Sequence, residues 1–328
     1  GAGLISPRSV VRSHFPLPKK IMIYKCKSAV FFHIWNRIDV VKRVFKQIKA
    51  SRPPKLYLSS DGPRNPKDKE KIRKIRNYIV SGVNWKCKLI KIYQKKNLGA
   101  KYALVTNLTK AFKNEKKLII LDHDCLPDNS FFRFCDELLE IYKKKNKVKI
   151  ITGNYICKNL IRKKYSYYFG YHPLVFGWAT WKRTWKEYDI KMKDFQPIKS
   201  FFWLLYFFNL NIVKTMYFYN KFKLSKNNQI DTWDYQLVYS IWKNKGLILK
   251  PTVNLSKHIG WGKQAYHGST HDDDLKDIKV RKINFPLKHP KSISINREAD
   301  EIEYKRIRKL YFFKSLIYFI SLKFKNFT

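Results

Sequence analysis

The chain has 328 residues, and its 69 Lys and Arg against 24 Asp and Glu give a formal net charge of +45. Hydrophobic residues make up 45% of it and aromatic residues 16%, which excludes intrinsic disorder and predicts a buried core, as one large domain or two. The 12 Gly and 13 Pro exclude collagen-like and Pro/Gly-rich low-complexity sequences.

The positive charge alone favours an anionic partner: nucleic acid, an anionic membrane surface or a phosphate-bearing substrate. The lysines are spread along the whole chain instead of being collected in one tail. A genome rich in lysine codons explains part of the same excess. Composition therefore does not choose between these partners.

The cysteines and the apolar stretches bear on location. Five scattered cysteines form no C-x-x-C pair, so the sequence indicates neither a disulfide framework nor a cysteine-based zinc site. Reduced thiols are typical of the cytoplasm, where we expect this protein, with peripheral binding to the inner membrane face as an option. No stretch reaches the ~18–20 apolar residues of a spanning helix.

We expect residues 1–25 to be a cloning remnant or an N-terminal extension outside the fold.

The first half of the chain alternates strand and helix patterns. Strands are predicted at Ser28–Trp35, Lys55–Ser60, Lys88–Tyr93, Lys117–Leu121 and Lys147–Thr152. Helices are predicted at Arg37–Ser51, Lys67–Val80, Ala100–Lys113 and Ser130–Lys143, the last capped by Asp128 or Ser130. This order predicts an α/β fold in which helices cover both faces of a largely parallel sheet.

Polar residues follow three of these predicted strands. They are Trp35-Asn36-Arg37, Asp61 and Asp122-His123-Asp124. Ligands bind at the carboxyl ends of the strands in such sheets, so the coincidence indicates a functional site there.

The second half is less regular and rich in aromatic residues. Residues 165–185 are aromatic and contain glycine, and residues 186–230 are apolar and basic without a clear order. A helix is predicted at Asp231–Lys245, a strand at Leu247–Val253 and a Gly/His loop at Asn254–Asp274. Glu301–Phe327 is predicted to be a basic amphipathic helix, with apolar residues at spacings of three and four from Leu310 to Phe324.

Asp122-His123-Asp124 is the first candidate for chemistry. Two carboxylates at i and i+2 after a buried strand can converge on one hard divalent cation, which takes its other ligands from water and substrate phosphates. A turn with an Asp helix cap explains the same residues, and D-x-D occurs by chance in many chains. The motif alone leaves both interpretations open.

A set of motifs in a fixed order supports the first interpretation. The chain reads QKKNLGAKYAL, then DHDCLPDNSFFRFC after LIIL, FGWATWKRTW, DTWDYQ, and PTVNLSKHIGWG with a later STH. This combination resembles the GT-A class of nucleotide-sugar glycosyltransferases, more narrowly bacterial nucleotide-diphospho-sugar transferases and the N-acetylglucosaminyltransferase I type. The resemblance covers residues 28–275. These relatives usually carry Glu-Asp-Asp at the metal motif, whereas here His123 takes the middle position.

The resemblance implies a GT-A (Rossmann-like) fold in three parts. Residues 26–160 would form the nucleotide-sugar-binding half, 161–290 an aromatic-rich acceptor and catalytic half, and 291–328 the basic amphipathic C-terminal helix. Asp124 would ligate Mn²⁺ or Mg²⁺, and Asp122 would hold a metal-bound water or the ribose. The cation would neutralise the departing nucleoside diphosphate.

Further residues receive a binding role from the same match. The residues implied for the nucleotide are His33, Trp35, Asn36, Arg37, Asp61, Asn97, Gly99, Lys101 and Asp122. For Lys101 taken alone, a solvated lysine explains the sequence better. The residues implied for the donor or acceptor sugar are Gly177, Trp178, Trp233 and His258. Trp181 and Trp185 are assigned to the core, and His271 is a candidate metal ligand or diphosphate contact.

Inverting transfer needs a carboxylate that removes the proton of the acceptor hydroxyl. The W-D match assigns this role to Asp234 first and to Asp231 second. Asp231 also suits a helix N-cap. Both carboxylates are structural in the alternative case, since retaining enzymes of this fold need no such base.

The sequence thus predicts a metal-dependent, inverting glycosyltransferase that moves a sugar from a UDP-sugar to a hydroxyl of a glycan or lipid-linked saccharide. The C-terminal helix packs on the domain, binds an anionic membrane or contacts a partner. The alternatives are a basic nucleic-acid-binding protein and an enzyme of nucleotidyl transfer or hydrolysis on a related fold. Because no nucleic-acid module or dense basic segment is recognisable, we expect no nucleic-acid partner.

Overall fold

The protein is an α/β structure built on one large sheet. A computed structural model describes residues 24–157, 164–261 and 278–307. The strands in these ranges are β1 (Val30–Ile34), β2 (Lys55–Ser60), β3 (Lys88–Tyr93), β4 (Lys117–Asp122), β5 (Cys125–Pro127), β6 (Val148–Thr152), β7 (Tyr167–Gly170), β8 (Trp178–Trp181), β9 (Leu247–Pro251) and β10 (Ser256–His258). The helices are α1 (Ile38–Ser51), α2 (Pro66–Gly82), α3 (Gly99–Asn114), α4 (Asn129–Ile141), α5 (Lys182–Trp185), α6 (Pro197–Phe207), α7 (Ile212–Lys226) and α8 (Asp234–Lys243).

The sheet has eight strands in the order β3-β2-β1-β4-β8-β6-β9-β7. β3, β2, β1 and β4 run parallel to one another, and β6 runs parallel to β9, whereas β8 and β7 are antiparallel to the strands beside them. β5 and β10 form a separate antiparallel pair. The predicted fold class, a mostly parallel Rossmann-like sheet flanked by helices, is confirmed. Strands from both predicted halves belong to this one sheet.

Each face of the sheet carries its own hydrophobic core. Val30, Phe32 and Ile34 of β1 belong to the first core cluster with side chains of α1, α2 and α4. Phe31 belongs to the second cluster with side chains of α3 and of α5 to α8. Successive strand residues point to opposite faces, so a strand covered on both sides is apolar at every position. That is why the first-half strands are recognisable as short apolar runs.

Most of the predicted elements are confirmed. β2 and β3 have the predicted bounds, and the other predicted strands and helices of the first half differ by one or two residues at one or both ends, while β5 was not predicted. The cap of α4 is Asp128, whose side chain accepts a hydrogen bond from the backbone N–H of Ser130 at 2.8 Å. The open choice between these two caps is thereby settled by geometry.

The second half differs from the prediction in several places. Residues 165–185, for which no element was predicted, contain β7, β8 and α5. Residues 186–230, for which no order was predicted, contain α6 and α7, which pack against each other. The predicted loop at 254–274 contains β10, and its residues 262–274 lie outside the described ranges. The predicted helix at Asp231–Lys245 begins only at Asp234, with Trp233 as its N-cap. The N-cap role considered for Asp231 is therefore wrong.

The described part of the C-terminal segment packs on the sheet. Residues 297–307 are helical. Glu303 forms an ion pair with Lys250 of β9, and both side chains are almost completely buried. The Tyr168 hydroxyl donates to Glu303 at 2.8 Å, and Asp300 accepts a hydrogen bond from the backbone of Tyr171 at 2.7 Å. Of the three roles predicted for the C-terminal helix, packing on the domain is therefore observed for residues 297–307. The apolar stripe predicted from Leu310 onward lies outside the described residues.

None of the described helices combines the length and the apolar character that crossing a bilayer requires.

The buried ion pair generates a stability prediction. Glu303→Gln leaves the Lys250 ammonium buried without its counter-charge, so we expect the free energy of unfolding to fall by about 3 kcal/mol in urea denaturation. The double variant Lys250→Met, Glu303→Gln removes both charges and keeps an acceptor for Tyr168. It is expected to recover most of that loss. A double variant as unstable as the single one would contradict a charge-based cause.

Candidate metal centre

The carboxyl ends of β2, β1 and β4 meet at one edge of the sheet. The strand register aligns His33 of β1 with Asp122 of β4 on one side and with Ser59 of β2 on the other. His33 Nδ1 lies 2.7 Å from the Ser59 hydroxyl oxygen. Burial, with His123 nearby, lowers the pKa of His33 to about 3. This imidazole is therefore neutral at physiological pH and lines the edge as a hydrogen-bonding group.

A second group of ligand-type atoms forms where β5 pairs with β10. Asp124, Cys125 and His258 each offer one atom, and these atoms all lie within 4.8 Å of one another. His258 Nδ1 is 3.5 Å from Asp124 Oδ1. The antiparallel register opposes His258 to Cys125, and the Asp124 carbonyl accepts a hydrogen bond from the N–H of Ile259 at 2.7 Å. The β5–β10 pair thus carries a distant histidine to the D-x-D motif.

The two aspartates of the motif differ in their electrostatics. Burial and the neighbouring Asp124 charge raise the pKa of Asp122 to about 8. For Asp124, burial acts upward as well, but His123, His258 and Arg37 outweigh it and hold its pKa below the usual range. Asp122 Oδ1 is buried and has no hydrogen-bond partner among the described residues. One carboxylate is thus compensated by positive or polar neighbours, and the other is not.

This donor set fits a hard divalent cation. Carboxylate oxygens are the preferred ligands of Mg²⁺ and Mn²⁺, and an imidazole nitrogen adds a ligand common in protein metal sites. Burial, Asp124 and Asp122 raise the pKa of Cys125 well above its ordinary value, so its sulfur is a protonated thiol and a poor ligand. The residues that would hold the cation directly are Asp124 and His258, and Asp122, which lies outside this group of atoms, would act on the cation or on its water. His271, the predicted ligand, lies outside the described residues.

Arg37 and Gly260 lie beside Asp124. The Arg37 guanidinium donates to the Gly260 carbonyl at 2.6 Å. A Cβ added at Gly260 would lie 2.4 Å from Asp124 Oδ2, so a side chain there would collide with the motif. Arg37 therefore holds a backbone segment against Asp124, a role that its predicted nucleotide contact did not include.

Asp61 and Asn97, both predicted to contact the nucleotide, bind each other. Asp61 accepts hydrogen bonds from the backbone N–H groups of Gly62, Leu98 and Gly99 at 2.7, 3.0 and 3.1 Å, and from Asn97 Nδ2 at 2.9 Å. Burial raises the pKa of Asp61, against the lowering effect of these backbone donors. The amides at the start of α3 therefore already donate hydrogen bonds to a carboxylate of the protein. These bonds join the end of β2 to α3.

The loop after β1 is held by α2. Asn36 Nδ2 donates to Asp68 Oδ1 at 2.8 Å, and the Arg64 guanidinium lies 4.2 Å from the centre of the Trp35 ring. Arg64 also pairs with Asp68 at 2.7 Å. Trp35 and Asn36 thus stay at the predicted strand end, with their polar and aromatic surfaces partly occupied by the protein itself.

Lys101 is buried, so the solvated lysine favoured by the sequence is wrong. Only 2% of it is exposed, and its Nζ donates to Asn228 Oδ1 at 2.9 Å. Burial lowers its pKa, and the charge of Asp231 acts in the opposite direction. Lys101 thereby links the start of α3 to the segment between α7 and α8.

Gly177 and Trp178 lie deeper than their predicted sugar contacts require. Gly177 has φ +89°, and an added Cβ would lie 2.7 Å from the Ser256 hydroxyl. Trp178 is 1% exposed and stacks on Trp233, with ring centroids 5.7 Å apart. The glycine is therefore needed for close packing against β10. Of the two stacked indoles, only Trp233 is partly exposed. Trp181 and Trp185 are buried, as predicted.

The two candidate bases lie at the start of α8. Asp234 Oδ1 accepts hydrogen bonds from the Thr232 hydroxyl and from the Tyr235 N–H. Asp231 is exposed, and its charge acts on Lys101. A chain of contacts connects this region to the group of ligand-type atoms at Asp124 and His258. Trp233 stacks on Trp178, and the neighbouring Gly177 packs against Ser256. Ser256 precedes His258 by two residues.

Sequence reasoning missed some members of this site. His258 was predicted to contact substrate, whereas it lies in the ligand group, and Cys125 was given no role. Ser59 and Gly260 were not singled out. The position of Ser59 at the end of a predicted strand was an available signal, but no local pattern relates residues 124 and 258.

Comparisons with known proteins give distant matches only. No family model and no curated protein matches the sequence. Among solved structures, a UDP-glucose pyrophosphorylase complexed with UDP-glucose matches with a TM-score of 0.28 and 9% identity, over 49% of this chain and 78% of that one. An inositol-1-phosphate CTP transferase from T. maritima matches with a TM-score of 0.37 and 9% identity, over 70% of this chain and 86% of that one. We therefore base the function on the geometry of this chain.

The ligand group generates a binding prediction. Asp124→Ala and His258→Ala are each expected to weaken Mn²⁺ binding by about tenfold or more, because each removes a direct ligand. Isothermal titration of the purified protein with Mn²⁺ measures this. Glu70→Gln, which removes an exposed carboxylate on α2, is the matched control and is expected to leave the affinity unchanged.

The same titration distinguishes ligand types and protonation. Mn²⁺ affinity is expected to rise as the pH increases toward 8, because Asp122 must lose its proton to face the cation. Asp122→Asn should flatten this dependence. Cys125→Ser is expected to leave Mn²⁺ binding unchanged. If Cys125→Ser abolishes binding and Asp124→Ala does not, the group is a thiolate site and our assignment is wrong.

The two glycines that have positive φ among the described residues provide a matched stability test. Gly177→Ala introduces both a left-handed alanine and a collision with Ser256, so we expect it to lower the free energy of unfolding by about 2 kcal/mol or more. Gly99→Ala has φ +78° but no atom within 4 Å of the added Cβ, so only the conformational cost of about 1 kcal/mol applies. Equal losses in urea denaturation would contradict the packing role of Gly177.

Proposed function

We propose that the protein is a metal-dependent, inverting glycosyltransferase of the GT-A class. It moves a sugar from a nucleotide-sugar donor, a UDP-sugar, to a hydroxyl of a glycan or lipid-linked saccharide. The observation that supports the proposal is the group formed by Asp124 and His258, next to the buried Asp122 at the carboxyl edge of the parallel strands. The contacts of Trp178 with Trp233 and of Gly177 with Ser256 lead from this group to the segment that carries Asp234. Ligands of open parallel sheets bind at this edge.

The cation held by Asp124 and His258 would supply the positive charge that the leaving group requires. A divalent cation bound there neutralises the nucleoside diphosphate as it departs. Asp124 is the direct ligand, because its pKa is held low and its carboxylate is therefore ionised at all physiological pH values. Asp122 would bind the cation, or a water on the cation, through Oδ1, the oxygen that has no partner among the described residues. His258, held by the β5–β10 pair, completes the protein ligands.

Asp234 is the proposed general base. The acceptor oxygen attacks the anomeric carbon, the bond from that carbon to the diphosphate oxygen breaks, and the acceptor proton passes to the Asp234 carboxylate. Both described hydrogen bonds end on Oδ1, so we assign proton transfer to Oδ2. Partly exposed Trp233, fixed by its stacking on Trp178, lies next to this carboxylate and offers an aromatic face for a sugar ring.

Asp231 receives a different role in this proposal. Its charge lies near Lys101, whose ammonium is bound to Asn228. This polar group joins α3 to the segment before α8. Asp231 is therefore a positioning residue, and the order of the two candidates expected from the sequence is kept.

A substitution series tests the proposal. Asp234→Asn is expected to lower kcat by about 10²- to 10⁴-fold, the usual contribution of a general base, while Mn²⁺ affinity stays unchanged. The assay follows release of UDP from a panel of UDP-sugars in the presence of Mn²⁺, with water or added saccharides as acceptors. Glu70→Gln again serves as the control. A larger loss in Asp231→Asn than in Asp234→Asn would reverse the assignment of the base.

Product analysis separates the remaining alternatives. NMR of the transferred sugar is expected to show an inverted anomeric configuration, and retention would contradict the role of Asp234 as a base. Release of pyrophosphate from a nucleoside triphosphate, without sugar transfer, would favour nucleotidyl transfer. Salt-sensitive binding of oligonucleotides without turnover of any UDP-sugar would favour a nucleic-acid-binding protein.

A further inference from the structure

The pair of helices α6 and α7 presents a cluster of apolar side chains to solvent. Seven of the twelve large hydrophobic side chains that are exposed among the described residues lie within residues 198–216. They are Ile198 (74% exposed), Phe202 (62%), Tyr206 (83%), Leu210 (73%), Ile212 (48%), Val213 (52%) and Met216 (53%), and together we call them the hairpin patch. Scattered exposed apolar residues are normal, whereas a contiguous set marks an interaction surface.

The stripe on α6 faces away from the protein. Ile198, Phe202 and Tyr206 recur every fourth residue, which places them on one side of the helix. The only buried residues of α6 are Ser200 and Leu204. A surface helix normally turns its apolar stripe toward the core. Here Trp203, Leu204 and Phe207 pack on the core, whereas Ile198, Phe202 and Tyr206 form a second apolar stripe that stays exposed.

The turn between the two helices places a leucine in solvent by means of a strained backbone. Asn209 and Leu210 have φ values of 50° and 62°, in the left-handed region that disfavours bulky side chains. The Leu210 N–H bonds to the Leu205 carbonyl at 2.8 Å, which fixes this conformation. An Asn or Gly would make the same turn with less strain. The Leu210 side chain therefore serves neither the turn nor the core.

The charged residues of the hairpin sequence itself all have one sign. Residues 195–230 contain no Asp or Glu and five lysines: Lys199, Lys214, Lys221, Lys223 and Lys226. Lys214 is paired with Glu301, whereas Lys199 and Lys223 are exposed. An apolar patch flanked by lysines complements a surface that offers both acyl chains and phosphate groups. With its eleven residues, α6 is about 16 Å long, well short of the ~30 Å hydrocarbon core, so it cannot cross a bilayer.

We propose that the α6–α7 hairpin is a membrane-docking element that inserts the hairpin patch into the headgroup region of an anionic bilayer. Tyr206 at the most exposed position suits this depth, because its ring is apolar and its hydroxyl remains hydrated. The exposed lysines, Lys199 and Lys223, contact lipid phosphates. The hairpin patch shares no residue with the predicted C-terminal helix. It does not depend on the glycosyltransferase proposal, since lipid binding is measured without turnover.

The test measures binding of the full chain to vesicles by sedimentation. The wild type is expected to bind vesicles in which a third of the phosphatidylcholine is replaced by phosphatidylglycerol, and to bind pure phosphatidylcholine weakly. The variant Tyr206→Ser, Leu210→Asn is expected to lower the partition coefficient by about tenfold or more. Leu210→Asn also relieves the left-handed strain, so this variant is expected to unfold thermally at or above the wild-type temperature.

The matched control is Tyr78→Ser, Ile141→Asn, which makes the same chemical changes on α2 and α4, at side chains 38% and 47% exposed on the other face of the sheet. It is expected to bind vesicles as the wild type does. Three outcomes would overturn the proposal. They are absence of wild-type binding, equal binding by wild type and hairpin variant, and loss of binding on Leu310→Ser, Ile317→Ser while the hairpin variant still binds. Light scattering that shows a dimer lost only in the hairpin variant, without vesicle binding, would make a second copy the occupant.

Discussion

Two carboxylates close together at the buried end of β4 are the constraint around which the site is arranged. Like charges in a poorly solvated place raise each other's free energy, and the protein compensates them unequally. His123, His258 and Arg37 keep Asp124 ionised, whereas the pKa of Asp122 rises to about 8 and one of its oxygens has no partner among the described residues. A divalent cation would satisfy both groups at once. The local electrostatics therefore favour a positively charged ligand.

Close backbone approach holds this arrangement in place. A Cβ at Gly177 would collide with Ser256, and a Cβ at Gly260 would collide with Asp124. These two glycines let β8 and the segment after β10 pack directly against the end of β4. The stacking of Trp178 on Trp233 then fixes the start of α8 relative to β8. The proposed metal ligands and the proposed base lie on different strands and helices, yet they belong to one densely packed region.

The charge of +45 has several structural uses besides attraction of anions. Lys250 is neutralised by Glu303 inside the protein and fixes the segment at 297–307, and Lys101 is buried against Asn228 near the site. Around the hairpin patch the lysines have no acidic residue within residues 195–230. If this surface docks on a bilayer, α7 leads directly from the membrane to Asn228 and on to Asp234. A lipid-linked acceptor would then meet the proposed base close to the lipid headgroups.

The sequence by itself determined the elements of the first half and the edge at which the site forms. Strands buried on both faces are apolar runs, and amphipathic helices repeat every three to four residues, so local patterns identify them. α6 and α7 were not recognisable, because their apolar residues lie on exposed as well as buried faces and periodicity cannot separate the two. Only the tertiary structure decided that Asp61 binds the amides before α3, that Lys101 and Trp178 are buried, and that His258 joins Asp124. These outcomes depend on contacts between residues far apart in the chain, and no local pattern encodes which distant residue a side chain will meet.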